Sequence, residues 1–214
     1  MSNTRHHAEW LSLVEASGPF LSLPVLDAAF PQGLDDHDPE VTRALRLAYE
    51  EWADNQQSLR PDAAIHAAWL RFVLRDVLGF AADMIGSGPA IAEPIKATIA
   101  EHGTVLRPDL VVQQPGQLPR LLVQIVPPTQ HLEKPLAGQR WKASPATRMA
   151  ELLCGAGVRL GLVTNGEHWM LVHALPGETS SYISWYASLW LDEPGLTHYI
   201  CSTGSSSILR TFRT

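Results

Sequence analysis

Apolar residues recur at helical spacing through the first half of the chain and give way to short β-type runs after residue 103. Trp10, Leu13 and Val14 predict a short helix over 6–17, ended by Gly18-Pro19. Residues 19–40, rich in Pro, Gly and Asp, read as an extended lead-in. Leu45, Ala48, Tyr49 and Trp52 predict a helix over 42–53, followed by a polar connector over 54–61. The longest stripe, Ile65, Trp69, Phe72, Val73, Val77 and Leu78, predicts a helix over 63–79 with Gly79 at its C-cap. A further helix, broken by Pro94, is expected over 91–102.

The second half reads differently. Runs 110–113 and 121–126 flank Pro115-Gly116 and predict a hairpin. Ser144 as N-cap, Pro145 at the first helical position and Gly155 or Gly157 as terminator predict a helix over 144–156. Runs 159–164 and 168–174 meet at Asn165-Gly166, a second hairpin, and 181–189 is a further strand candidate. Helices, hairpin, helix, hairpin is an α+β order: one mixed sheet with a helix packed on it. No internal repeat is visible, and 192–214, small and polar, reads as a loose tail.

Charge divides the chain along similar lines. Residues 1–62 hold 11 acids and 4 bases, 63–150 hold 6 and 9, and 151–214 hold 5 and 3. The basic middle suits contact with phosphate. The acidic first third opposes it and favours a protein partner. Cys154 and Cys201 have no C-x-x-C spacing and are read as neutral thiols of a cytoplasmic protein. No stretch approaches the roughly 18 uninterrupted apolar residues of a membrane span, so no membrane partner is expected. The start, Arg5-His6-His7 and then Glu9 with no long apolar run, predicts no secretory leader.

Candidate chemistry lies on the first hairpin. Asp109 opens one strand, and Leu122, Gln124 and Val126 share one face of the next. Magnesium-dependent phosphodiesterases need carboxylates, because the cation prefers hard oxygen ligands, and a lysine near the attacked phosphate. Here the second strand offers Gln124 and Val126, followed by Pro127-Pro128.

Three features together resemble the N-terminal PD-(D/E)XK nuclease-like domain of type IIG-like restriction-modification and phage-defence polypeptides, which fuse it to an adenine-specific methyltransferase. Residues 69–80 resemble its opening helix. Pro108-Asp109 matches its "PD". Gly161-Leu162-Val163-Thr164-Asn165-Gly166 with Trp169 resembles its hairpin signature. The likeness covers about 63–175 and implies a restriction-endonuclease-like core over 63–191, with 1–62 as an acidic helical extension packed on it. It also implies that Asp109 and Gln124 occupy degenerate catalytic positions, since the family has Asp/Glu-x-Lys where this chain has Gln124-Ile125-Val126.

The expectation is therefore a nuclease-like module that does not cut on its own and takes no cofactor. It would bind DNA through Arg107, Arg120, Lys134, Arg140, Lys142 and Arg148, or dock a methyltransferase domain or subunit. One alternative is an active endonuclease with magnesium on Asp109, helped by Glu93 or Glu101 and by Lys134, Lys142 or Arg148. Another is a pure protein-interaction domain.

Other motifs are weaker. Val126-Pro127-Pro128-Thr129 lacks the Asn or Asp and the aromatic that an adenine methyltransferase needs. His168 and His173 fall on opposite strand faces and cannot form a simple ligand pair. Trp141, between Arg140 and Lys142, could stack a base but more often such a residue packs a loop. Trp185, Tyr186 and Trp190 read as core or interface.

Overall fold

A computed structural model describes residues 7–8, 11–12, 14–29, 39–114 and 116–192. Trp10, Leu13, Pro115 and the tail 193–214 lie outside these. The architecture is α+β, with a seven-stranded mixed sheet and flanking helices. The chain divides into two compact units. One comprises Met1–Glu15, Ser22–Ala81 and Trp185–Thr214; the other comprises Ala16–Leu21 and Ala82–Ser184. Among the described residues no helix is long and apolar enough to cross a membrane.

In the first unit, helix α1 (Leu23–Ala29) precedes α2 (Pro39–Gln57) and α3 (Ala63–Phe72). Trp52 and Trp69 stack with ring centroids 6.0 Å apart, and Trp190, from the short helix Leu189–Asp192, lies 6.1 Å from Trp69. Trp52 Nε1 donates to His66 Nδ1 at 2.9 Å; burial pushes the His66 pKa down, which favours the neutral ring that this bond requires. Asn55 holds both backbone groups of Asp62, and Asp62 in turn caps α3 by accepting from Ala64 N–H at 2.8 Å. Both α2 and α3 belong to this unit, although residue 62 between them marks the sequence change from acidic to basic.

The sheet has the order β1-β9-β8-β7-β6-β5-β2. Its strands are β1 (Glu15–Ser17), β2 (Ile85–Ser87), β5 (Leu110–Val112), β6 (Leu121–Ile125), β7 (Leu160–Thr164), β8 (His168–His173) and β9 (Ser181–Tyr186). β5 is antiparallel to β2 and β6, β6 is parallel to β7, and β7 is antiparallel to β8. A separate hairpin pairs β3 (Ala97–Ile99) with β4 (Thr104–Leu106). Helix α4 (Pro145–Ala156) makes the crossover from β6 to β7.

Why α4 forms is legible locally. Ser144 Oγ accepts from Thr147 N–H at 3.1 Å, Pro145 needs no donor, and Gly157 ends the helix at φ +69°. Met149, Leu152 and Leu153 are fully buried in one cluster with Val111, Leu122, Val163, Met170 and Val172. Each such side chain contributes about 1.5–3 kcal/mol. Gly161 lets the helix come this close: a Cβ there would stand 2.3 Å from Met149 Sδ. Val112, Val123, Leu162 and Trp169, on the other face, are buried too, as expected of central strands covered on both sides.

Several elements differ from the sequence reading. Residues 91–102 do not form a helix: Pro94 breaks it, and β-branched Thr98, Ile99, Thr104 and Val105 make the β3–β4 hairpin around short 3-10 turns. The segment 15–17 is a strand rather than a helix end, because Gly18-Pro19 leaves it extended beside β9. The lead-in 19–40 contains α1, where Pro24 sits in the first turn and costs no hydrogen bond. The 63–79 helix becomes a π turn over Val73–Val77 before Gly79. Helix α2 outruns 42–53 at both ends. The 181–189 strand stops at Tyr186.

Candidate functional site

Asp109 stands one residue before β5, where Leu110 pairs with Val123. Its backbone N–H donates to the Val123 carbonyl at 2.9 Å, and its Oδ2 accepts from Ile125 N–H at 2.7 Å. The alternation of the β6 backbone explains the second bond. Val126 N–H turns to β7 and reaches the Thr164 carbonyl at 2.9 Å, so Ile125 N–H turns the opposite way. β5 has not yet begun there, and the Asp109 side chain takes the place of a missing rung.

This arrangement governs the electrostatics. Surrounding protein pushes the Asp109 pKa up, and the Ile125 N–H pulls it part of the way back. The residue as a whole is exposed, so solvent screens the push and its energetic weight is small.

Gln124 is half-buried and shares its face with Leu122 and Val126, the face that carries α4. Val126 is buried in that cluster. A magnesium ion at this place would find one carboxylate with an oxygen already bonded to backbone, one neutral amide and a valine. That donor set does not fit a hard dication, which wants several anionic oxygens. Among the described residues no three His, Cys, Asp or Glu side chains come together as a group that could hold a metal.

The residues considered as replacements are spread out. Glu93 is ion-paired with Arg107 at 3.1 Å and Lys96 at 3.2 Å, and these two cations hold its carboxyl below the ordinary range. Glu101 lies on an exposed 3-10 turn rather than a helix. Arg107 is thereby committed to Glu93, and Arg120 donates to Gln114 and Gln117 at 3.3 and 3.0 Å. Lys134, Arg140 and Lys142 are exposed on the connection between β6 and α4.

Arg148 is different. It is 5% exposed, donates from Nη2 to the Trp141 carbonyl at 3.1 Å, and sits with Cζ 4.8 Å from the Trp141 ring centre. Burial lowers its pKa. His102 stacks on the same indole at 5.2 Å. Trp141 and Arg148 therefore pack one another and fix the approach to α4. The sequence placed Trp141 beside Arg140 and Lys142; its packing with Arg148 and His102 was not read from it.

The Thr164–Trp169 turn is organised by Asn165. Asn165 Oδ1 accepts from Glu167 and His168 N–H at 3.0 and 2.7 Å. Its Nδ2 donates to the carbonyls of Gln130 and Pro128 at 3.0 and 3.4 Å, tying the turn to the loop after β6. Thr164 Oγ1 accepts from Gly166 N–H at 2.9 Å, and Trp169 Nε1 donates to the Gly166 carbonyl at 3.0 Å. The hairpin was expected from Asn-Gly; the cross-link to residues 128–130, 35–37 positions away, was not. Comparison with known proteins finds no matching family model, no matching curated protein and no matching solved structure.

Proposed function

We propose that the chain is a restriction-endonuclease-like module whose catalytic positions are degenerate, and that it binds duplex DNA without cutting it, within a restriction-modification or phage-defence system. One observation carries the reading. An antiparallel hairpin, β5–β6, is followed by a crossover helix and a strand parallel to β6; on the likeness, Asp109, Gln124 and Val126 would stand where such a domain has its catalytic groups. The layout supports the ancestry; the donor set argues against hydrolysis. DNA contact rests on Lys134, Arg140 and Lys142, which are exposed on one connection. Arg107 and Arg120 would first have to leave Glu93 and the two glutamines.

The test is a titration of the whole chain with duplex DNA across a range of salt. Contacts to phosphate release counterions, so affinity falls with a log–log slope near −0.9 per phosphate neutralised. Affinity is expected to be about micromolar or weaker, because so few cations give only non-specific binding. Replacing Arg140 and Lys142 by Ala should reduce the slope by about two. No binding at low salt would defeat the DNA reading and leave docking of a methyltransferase domain or subunit.

A further inference from the structure

Three helices of the first unit meet in one aromatic stack. Trp52 of α2 lies on Trp69 of α3, Tyr49 meets Trp69 edge-on at 5.7 Å, and Trp190 of the Leu189–Asp192 helix reaches the same indole. Trp52 and Trp69 are 4% and 2% exposed. Within this apolar contact the indole of Trp52 has a single polar atom, and its partner is His66 Nδ1, at 2.9 Å.

That bond exists in one protonation state only. An indole N–H donates and never accepts, so Nδ1 must carry a lone pair, and His66 is neutral with its proton on Nε2. A proton added at Nδ1 turns the acceptor into a second donor. Two N–H groups then face each other across the helix pair, and a buried donor that loses its partner is costly. No neighbouring charge offsets this. Glu50, Glu51 and Asp54 on α2, Arg71 on α3, and Arg75 and Asp76 on the π turn are all exposed, as are the remaining charges of α2. Asp62 at the cap accepts from Ala64 N–H. Burial lowers the His66 pKa, and no charged group is among the causes.

We infer that the Trp52–His66 bond is an acid-sensitive latch on the helical unit: a proton on His66 Nδ1 releases α2 from α3. The latch is independent of Asp109 and of the DNA reading. Because the folded-state pKa of His66 lies below the unfolded one, the latch contributes fully above the ordinary imidazole range and is lost as pH falls through the folded value. The test is an NMR titration of the whole chain from about pH 7.5 to about pH 5, following the His66 ring and the Trp52 indole N–H together. The two signals should move with one midpoint, below the ordinary imidazole value. Amide protection in α2 and α3 should fall at least about threefold more over that range in wild type than in His66→Gln, which keeps an acceptor and does not titrate. Trp52→Phe, which removes the donor, should raise the His66 midpoint. The inference fails if His66 titrates at or above the ordinary value, or if the Trp52 indole N–H does not follow it. It also fails if His66→Gln loses as much protection as wild type, or if Trp52→Phe leaves the midpoint unchanged. The first two outcomes are read on wild type, so a variant that does not fold leaves the test intact.

Discussion

The turn between β7 and β8 and the open end of the β5–β6 hairpin are two regions on which the proposed reading rests, and they are built in opposite ways. At the turn, Thr164, Asn165 and Trp169 each spend their polar atoms on backbone groups of the protein itself. At the hairpin end, Asp109 makes such a bond, whereas Gln124 and Val126 face α4 and bring no charge. Residues that hold a fold together stay readable because changing them costs stability. Residues whose only use is a reaction are free to drift once the reaction is gone. On the proposed reading, the turn holds residues that serve the fold and the hairpin end holds residues that no longer serve a reaction.

The largest expected effect tests the structural half of that contrast. Asn165→Ala should lower stability by about 2–4 kcal/mol, because it strands two N–H groups and two carbonyls in a mostly buried turn. Asn165→Asp, which keeps the acceptor and loses the donor, should fall between. Urea unfolding read by tryptophan fluorescence measures both, and a loss below about 0.5 kcal/mol for the Ala variant would break the comparison.

A smaller effect separates the cations. Arg148→Ala should cost about 1–3 kcal/mol, since it removes a buried hydrogen bond and the contact with Trp141. Arg140→Ala and Lys142→Ala should stay within about 0.5 kcal/mol of wild type, as exposed positions do. Equal melting temperatures for all three would show Arg148 to be a surface group like the others.

Smallest is the effect at Asp109. Asp109→Ala should cost about 0.5–1.5 kcal/mol by leaving Ile125 N–H without its partner, whereas Asp109→Asn keeps an acceptor and should be close to neutral. The two proteins should also differ with pH. Because the folded-state pKa of Asp109 is raised, its contribution to stability is present below the unfolded carboxylate range and is lost as pH rises through the folded value. Wild type should therefore lose stability relative to Asp109→Asn across that window, modestly, given the exposure of the residue. Unfolding curves taken at a series of pH values would reveal a difference of the opposite sign if the assignment is wrong.

How much of this was legible beforehand depends on whether the determinant is local. Helix α4 could be read from Ser144, Pro145 and Gly157 because caps and terminators act within a few residues. The β7–β8 hairpin followed from Asn165-Gly166 for the same reason. The 91–102 segment was misread because its apolar spacing fits a helix as well as a hairpin, and only the pairing of Ala97 with Leu106 decides between them. The positions of Asp109 and Gln124 on neighbouring strands were legible; that Asp109 would serve Ile125 N–H was not, since that depends on where β5 starts. The His102–Trp141 stack joins residues 39 apart and left no trace in spacing.

The proposed reading is a nuclease-like layout without a nuclease's chemistry. Incubating supercoiled plasmid with the purified chain in magnesium or manganese, beside Asp109→Ala, tests it most directly. No specific cleavage by either protein is the predicted result, with any trace of nicking identical in the two; robust cutting by wild type that disappears in Asp109→Ala would contradict it.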